Sequence, residues 1–444
     1  MSNNESILES SKREKILTIK QRFRNAIKRG TGETHLIIKD NPGIDFSNDI
    51  IKAALKNLSY DNQSEGRASY VFELIELSNK KEKIRKAILE ALATERTDSG
   101  ALEQLFDIAA LFAKKGDKEA RKAIYKRFYK KTIQGSEHVG EDAIVEIDGL
   151  EGLKYIAEVK GKAIQKDPKE WDDSWLVDGF QEQNPEIKVY KELEKSSRIN
   201  PYIKTYLDAI KEHKVEFQKI KRPKYNYKII SEGINNNVTV PITYPIAKRL
   251  SKSDIIKLAD DFLKETDRNK LEKYIRVFDK VKYPYDHKPI LNLAKSKNKR
   301  TDRLVEFATG ALKYFSSAEI RDVAIKKLKE IRVPCDHLDL LVANYKKGDS
   351  KLLTDIVNRC KDEHEIHSIV YGIINIYKTN KTRECKEPLE AVYDRLTCGI
   401  HRTDIKILID NKLLSDRLKN EIKFDSSEET RELYKKLFKK RKNA

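Results

Sequence analysis

The stretch "SSAEIRDVAIKKL" (316–328) contains the pattern that decides the fold of this chain. Its apolar residues recur at steps of three and four, which places them on one face of an α-helix. Closely similar stretches are "KEKIRKAILEAL" (81–92), "GDKEARKAIYKRF" (116–128) and "SSEETRELYKKLF" (426–438). Because one amphipathic helix cannot bury its apolar face alone, the recurrence predicts helices that stack on one another.

The spacing of these stretches is typical of a helical repeat. Aligned with one another, they place Arg85, Arg121, Arg321 and Arg431 at equivalent positions. The first two arginines are 36 residues apart and the last two are 110 apart, about three periods of 37 residues. We therefore expect an all-α fold, an α-solenoid of stacked antiparallel helix pairs, with a small irregular or β-containing insertion near 221–246.

The acidic-x-Arg-x-x-Ala/Leu core of these stretches resembles the repeats of the HEAT and armadillo-like α-solenoid family. The resemblance covers roughly residues 66–135 and 250–438, and the repeat register is lost between 136 and 250. The family resemblance implies a scaffold, an adaptor or a binding surface. A minority of such proteins bind nucleic acid or act on it.

Four parts are predicted along the chain. Residues 1–65 form a basic N-terminal helix and a cap, and residues 66–220 form the first half of the repeats, with an irregular region at 136–186. Residues 221–246 combine prolines with β-branched alternation and are predicted to be a hinge or linker. Residues 247–444 form the second half of the repeats and end in a basic tail.

Composition excludes several classes of protein. The 444-residue chain has no apolar run long enough for a transmembrane helix, and its first residues lack the apolar core of a secretory signal. Its four cysteines show no paired spacing, which indicates free thiols in a reducing compartment. We therefore expect an intracellular, cytoplasmic protein without a membrane partner, and the sequence does not determine its oligomeric state.

The net charge of +19 is concentrated in local basic stretches, some of them interleaved with aromatic residues. Such stretches attract phosphate groups or acidic proteins, and the two tryptophans near residue 173 are candidate interface anchors. The candidate binding residues are Lys126, Arg127, Lys130, Lys131, Trp171, Trp175, Lys221, Arg222, Lys224, Tyr225, Tyr227, Lys295, Lys297, Lys299 and Arg300.

One stretch, "IDGLEGLKYIAEVKGK" (147–162), resembles the metal site of PD-(D/E)xK nucleases. The resemblance implies that Asp148 and Glu158 hold a divalent cation while Lys160 assists the attacking water. The stretch lacks the preceding Pro-Asp of that motif, which belongs on a β-hairpin. Its apolar residues follow helical spacing instead, so we interpret it as an amphipathic repeat helix.

A second chemical pattern consists of Cys360, His364 and His367, spaced to lie on one face of a helix. Thiolate and imidazole are zinc ligands, but no fourth ligand is nearby in sequence. Further ligands from neighbouring helices would be Cys335, His337, Cys398 and His401. Because buried cysteines and interfacial histidines are common, we expect no bound metal and no cofactor.

The sequence thus favours a non-enzymatic scaffold or adaptor that binds an acidic protein partner through an extended, partly basic surface. The alternative is a nucleic-acid-binding α-solenoid that grips the phosphate backbone. A nuclease that uses Asp148, Glu158 and Lys160 is the third hypothesis. No P-loop, dinucleotide, serine-hydrolase or zincin motif occurs in the chain.

Overall fold

The structure is a computed structural model. It describes residues 17–62, 64–130, 139–167, 172–218, 224–238, 240–296 and 302–439. Within these ranges every regular element is a helix and no β-strand is present, which confirms the predicted all-α class. Of the irregular or β-containing insertion predicted near 221–246, the described residues show no strand: Tyr227–Asn235 and Tyr244–Lys248 are helical, and an irregular segment lies between them.

The helices are numbered in chain order. The first thirteen are α1 (Ile19–Arg29), α2 (Glu33–Asp40), α3 (Ser47–Ala54), α4 (Ala68–Leu77), α5 (Lys81–Thr94), α6 (Ser99–Lys114), α7 (Lys118–Arg127), α8 (Glu141–Lys166), α9 (Trp175–Gln183), α10 (Val189–Ser197), α11 (Pro201–Gln218), α12 (Tyr227–Asn235) and α13 (Tyr244–Lys248). The others are α14 (Lys252–Lys264), α15 (Arg268–Phe278), α16 (Lys288–Lys295), α17 (Arg303–Ala311), α18 (Ala318–Glu330), α19 (Cys335–Leu338), α20 (Asp349–Arg359), α21 (Glu363–Asn380), α22 (Lys386–Arg395), α23 (Gly399–Arg402), α24 (Lys406–Asp410), α25 (Asp416–Ile422) and α26 (Glu428–Lys439). Short 3₁₀ turns occupy Leu312–Tyr314, Asp339–Leu341, Arg383–Cys385 and Thr403–Ile405.

The chain divides into two compact units. The first contains the residues up to Lys166, together with Gly179–Lys204 and the residues from Arg417 onward. The second contains Asp167–Asp178 and Thr205–Asp416. The linker predicted at 221–246 therefore lies within the second unit.

Helices of the first unit pack on their neighbours and also on the next helix but one. Helix α5 packs on α3 and α7, and α6 packs on α4 and α8. This alternation creates two layers with apolar side chains between them, such as the fully buried Leu74, Ile88, Leu105 and Ile124. The packing is that expected of stacked helix pairs, and it buries the apolar face that one pair alone would leave in water.

The second unit repeats this arrangement. Helix α20 packs on α18 and α22, α21 packs on α19, and α17 packs on α15 and α19. The opening sequence pattern forms α18, whose Ile320, Ala324 and Leu328 are fully buried. Both units therefore use the same helix-on-helix packing.

The aligned arginines have a common structural role. In three of the four stretches the guanidinium forms an ion pair with an aspartate that lies 27 to 32 residues later in the sequence. The pairs and their shortest N–O distances are Arg85–Asp117 at 2.5 Å, Arg121–Asp148 at 2.7 Å and Arg321–Asp349 at 2.7 Å. Each pair joins one helix of the stack to a later helix or to its N-cap residue, so the recurring arginine connects helices of the stack.

The fourth arginine pairs with an acid from the other end of the sequence. Arg431 in α26 donates to the carboxylate of Glu73 in α4 at 2.5 Å, across 358 residues of chain. The same carboxylate lies 3.0 Å from His35 Nε2, and the ring of His35 stacks on Phe424 with 4.9 Å between centroids. The C-terminal segment of the first unit is thus packed on its N-terminal helices.

Two glycines allow this approach of the C-terminal segment. The backbone N–H of Ser426 donates to the carbonyl of Gly30 at 2.8 Å. A Cβ atom on Gly32 would lie 1.9 Å from the carbonyl oxygen of Glu421, which is backbone that cannot rotate away. The segment "GTGET" (30–34) therefore serves as a close backbone contact in this fold.

Candidate functional site

A pocket in the second unit combines an apolar floor with a cationic rim. Its volume is about 150 Å³. Ile230 and Ile234 of α12, together with Val240 and Ile242 from the segment that follows, form the apolar part. Ile230 and Ile234 face the pocket because they lie four residues apart on one side of an amphipathic helix.

The rim is formed by cations of α15 and α17. Lys273 and Arg276 lie three residues apart on α15, and Arg303 is the first residue of α17. The guanidinium carbons of the two arginines lie 5.9 and 5.4 Å from the centre of the Phe307 ring, within range of cation–π attraction. The Arg303 side chain is 58% exposed, so this part of the rim is open to solvent.

The charge of the pocket is unbalanced. Among its lining residues Glu272 is the acidic side chain, and it lies 3.6 Å from Arg303 against three cations in total. The lining contains no histidine, cysteine, serine or threonine that would act as a nucleophile or proton shuttle. The arrangement suits binding of an apolar group that carries negative charge beside it.

Exposed apolar side chains lie close in sequence to the pocket-lining residues. Ile229 of α12 is 38% exposed, and Val238, two residues before the pocket residue Val240, is 57% exposed. Tyr244 at the start of α13 is 49% exposed. Apolar exposure together with a polar rim is characteristic of interaction surfaces.

Several predicted binding residues belong to the second unit. Lys224 is exposed, and the Tyr227 hydroxyl donates to the Asp261 carboxylate at 3.0 Å, a bond that raises the pKa of this tyrosine. Lys295 is exposed at the end of α16, and Trp175 is 83% exposed at the start of α9. Tyr225 is half-buried beside Lys224 in sequence. Outside the described residues lie Lys131, Trp171, Lys221, Arg222, Lys297, Lys299 and Arg300.

Another predicted group, around "YKRFYKK" (125–131), belongs to the first unit. Lys126 and Lys130 are exposed there. Arg127 does not belong to this exposed group. It is only 4% exposed and donates to the carbonyl oxygens of Lys130 at 3.1 Å and Glu95 at 2.6 Å. Its burial, which lowers its pKa, and these backbone bonds give Arg127 a structural role.

The residues of the nuclease hypothesis lie in helix α8, where the β-hairpin of that motif is not present. Asp148 accepts hydrogen bonds from Tyr125 at 2.5 Å and Arg121 at 2.7 Å. Lys160 is 3% exposed and pairs with Glu141 at 2.5 Å. Glu158 pairs instead with Lys162 on the next turn. The helical interpretation of this stretch is confirmed on both sides of Gly149, whose φ of 54° kinks the chain between Asp148 and Glu158.

The three predicted metal candidates do not share one helical face. Cys360 follows the end of α20 in an extended conformation, and its thiol donates to the Ile356 carbonyl at 3.3 Å. His364 and His367 belong to the next helix, α21. The prediction is therefore wrong for Cys360, because the chain leaves one helix there before it starts another.

The pocket residues Lys273, Arg276 and Arg303 were absent from the sequence-based candidates. The available signal was the three-residue spacing of Lys273 and Arg276 within the amphipathic stretch "RNKLEKYIRVF". That spacing places both cations on one side of α15, but many solvated helices show the same pattern. The apolar floor comes from another helix and an irregular segment, so the sequence alone does not identify the pocket.

Comparisons with known proteins add no relative. Scans of protein-family models, of curated proteins and of solved structures each found no match. Across the described part of the chain, no helix has the length and apolar character needed to cross a bilayer.

Proposed function

We propose that this chain is a non-enzymatic helical-repeat scaffold or adaptor that binds an acidic segment of a partner protein at the pocket of the second unit. The observation that supports this proposal is the juxtaposition of an apolar floor with Lys273, Arg276 and Arg303. An apolar side chain of the partner would enter the pocket. Flanking carboxylates would pair with the two guanidinium groups, which match carboxylate geometry well.

The apolar floor favours a protein over a nucleic acid. A phosphate backbone would use the cations of the rim but would make no apolar contact with the half-buried Val240 of the floor. A peptide with one large apolar residue among acids would satisfy both parts of the pocket. The free state of all four cysteines supports a cytoplasmic location, where thiols stay reduced.

The experiment is a fluorescence anisotropy titration of the purified full chain with two labelled peptides. One peptide has a leucine flanked by glutamates, and in the other the glutamates are replaced by lysines. We expect binding of the acidic peptide alone. The Arg276→Glu/Arg303→Glu double variant should weaken this binding at least about tenfold, because the rim charge is reversed.

A matched control makes the same change of charge in the first unit. Lys126→Glu/Lys130→Glu should bind the acidic peptide as the parent does. The proposed pocket would be refuted if both peptides bound equally, or if both double variants lost the same amount of acidic-peptide binding. Tight binding of a DNA or RNA duplex, with a steep salt dependence that disappears in the rim variant, would instead establish the nucleic-acid alternative.

A further inference from the structure

Three side chains with metal-binding chemistry meet in the second unit. His367 belongs to α21, Cys398 directly precedes α23, and His401 lies within α23. One ligand atom from each lies within 4.8 Å of the others. The Cys398 sulfur is 3.2 Å from His401 Nδ1, and the two imidazole rings meet edge to face with 4.8 Å between centroids.

These separations are close to those of a zinc site. Zinc binds thiolate at about 2.3 Å and imidazole at about 2.0 to 2.1 Å in tetrahedral geometry, which separates the ligand atoms by about 3.3 to 3.6 Å. Side-chain movements of about 1 Å would bring His367, Cys398 and His401 to this geometry. Thiolate and imidazole are soft and borderline ligands, which select zinc over magnesium or calcium.

The surrounding contacts order the backbone that carries Cys398. Arg402 is 1% exposed and donates to the carbonyl oxygens of Thr397 at 2.8 Å and Leu396 at 3.3 Å, so it orders the turn that carries Cys398. The Thr397 hydroxyl donates to Glu363 at 2.8 Å, one helical turn before His367. These bonds connect the Cys398 turn to α21, and such outer contacts are typical of built metal sites.

A catalytic cysteine–histidine pair explains the cluster less well. Cys398 is only 2% exposed, so a substrate would not reach its sulfur. A hydrogen-bonded pair also requires one imidazole, whereas two converge on this thiol. A metal ion uses a buried thiolate and both imidazoles together.

We propose that His367, Cys398 and His401 bind a zinc ion. The Cys398 thiol loses its proton on binding, and each imidazole donates one nitrogen lone pair. Both imidazoles are half-buried, so a water molecule completes the four-coordinate site. The ion joins the turn before α23 to α21, and the site uses none of the residues that line the binding pocket. It is therefore independent of the proposed function.

Cobalt(II) titration of the full chain, freed of metal by a chelator, tests this site. We expect one cobalt per chain, with thiolate-to-cobalt charge-transfer absorption and the visible bands of a tetrahedral ion. Zinc should displace the cobalt. Cys398→Ser should abolish the charge-transfer band, and His401→Gln should weaken binding about 100-fold or more, since first-layer ligands matter at least as much as their supporting contacts.

The matched control is Cys360→Ser, which removes a nearby buried thiol outside the cluster and should leave the band unchanged. Circular dichroism tests whether each variant is folded. If Cys398→Ser is not folded, His367→Gln takes its place in the titration. Absence of one-to-one binding at micromolar cobalt would overturn the proposal and leave a hydrogen-bonded cysteine–histidine pair. An unchanged band in folded Cys398→Ser would overturn it as well.

Discussion

Two arginines of the second unit lie on similar helices and have opposite roles. Arg321 in α18 is 16% exposed and makes a two-pronged ion pair with Asp349 at 2.7 and 2.8 Å. It also donates to the Asn344 carbonyl at 2.7 Å. Arg303 in α17 is 58% exposed, lies over Phe307 and is 3.6 Å from Glu272.

The difference shows that the positive charge of this chain is of two kinds. One kind joins helices of the stack and is paired with aspartates within the fold, as in the largely buried Arg85 and Arg321 and the more exposed Arg121. The other lies at a pocket and faces water, where it is available to an acidic ligand. Net charge and arginine spacing do not separate the two kinds, but the distance to the acidic partner does: 2.7 Å for Arg121 and 3.6 Å for Arg303, which are similarly exposed.

The largest expected effect on stability is the loss of an ion pair that joins two parts of the helical stack. Arg321→Met should lower the free energy of unfolding by about 3 kcal/mol, because it leaves the 9%-exposed Asp349 carboxylate without its guanidinium. Urea unfolding followed by circular dichroism measures the change. The double variant Arg321→Met/Asp349→Asn should recover part of the loss, and a decrease below 0.5 kcal/mol (about the size of a surface effect) would contradict the structural role.

The next effect concerns the first unit and its C-terminal segment. Gly32→Ala should lower stability by about 2 kcal/mol, since the new Cβ would meet the Glu421 carbonyl oxygen at 1.9 Å. Limited proteolysis should then cut the segment after residue 416 faster than in the parent. Gly43→Ala is the control, because no atom lies within 4 Å of its Cβ position, and equal proteolysis of both variants would count against the packing described here.

A carboxyl group in α6 should make stability depend on pH. Burial first, and then the nearby Glu103, Asp142 and Glu146, raise the pKa of Asp107 to about 7. An unfolded aspartate titrates near 3.9, so between about pH 4 and pH 7 the folded state holds the additional proton and the parent loses stability as pH rises.

Asp107→Asn removes this loss. The variant should gain about 2 kcal/mol over the parent at pH 8, and the gain should shrink steadily towards pH 4. Urea unfolding at four pH values measures it. The exposed Glu90→Gln variant is the control, and a gain that does not change with pH would show that Asp107 is not the titrating group.

The smallest effect on stability belongs to the pocket arginine. Arg303→Met should change the free energy of unfolding by less than about 0.5 kcal/mol, because its ion pair with Glu272 is long and exposed. The same variant should weaken binding of the acidic peptide about tenfold, which is about 1.4 kcal/mol of binding free energy. A large loss of stability in Arg303→Met, equal to that of Arg321→Met, would remove the distinction between the two arginines.

Much of the fold was predictable from local pattern. The four similar stretches became α5, α7, α18 and α26, because their apolar spacing and helix-forming residues agree with a stacked environment. The segment near 230 differs from the prediction, since its β-branched residues suggested an irregular or β-containing insertion, whereas "YKIISEGIN" buries Ile230 and Ile234 on one helical face. Tertiary packing overrode the strand propensity there.

Long-range pairing was the part that the sequence could not predict. Nothing local indicates that Arg431 pairs with Glu73, 358 residues earlier in the chain. The proposed metal site shows the same limit: Cys398 and His401 are three residues apart, but His367 comes from another helix. Periodicity identifies helices, and only the folded chain shows which of them meet.

The contact between Arg431 and Glu73 has a consequence for how the protein is made. The N-terminal helices leave the ribosome 358 residues before the arginine that pairs with them. At about 5 to 20 residues per second, translation takes about 20 to 70 seconds to cover that distance. During this interval His35 and Lys39, which later contact the Phe424 ring, lack that partner, so the packing of the first unit is completed only when synthesis reaches its C-terminal segment.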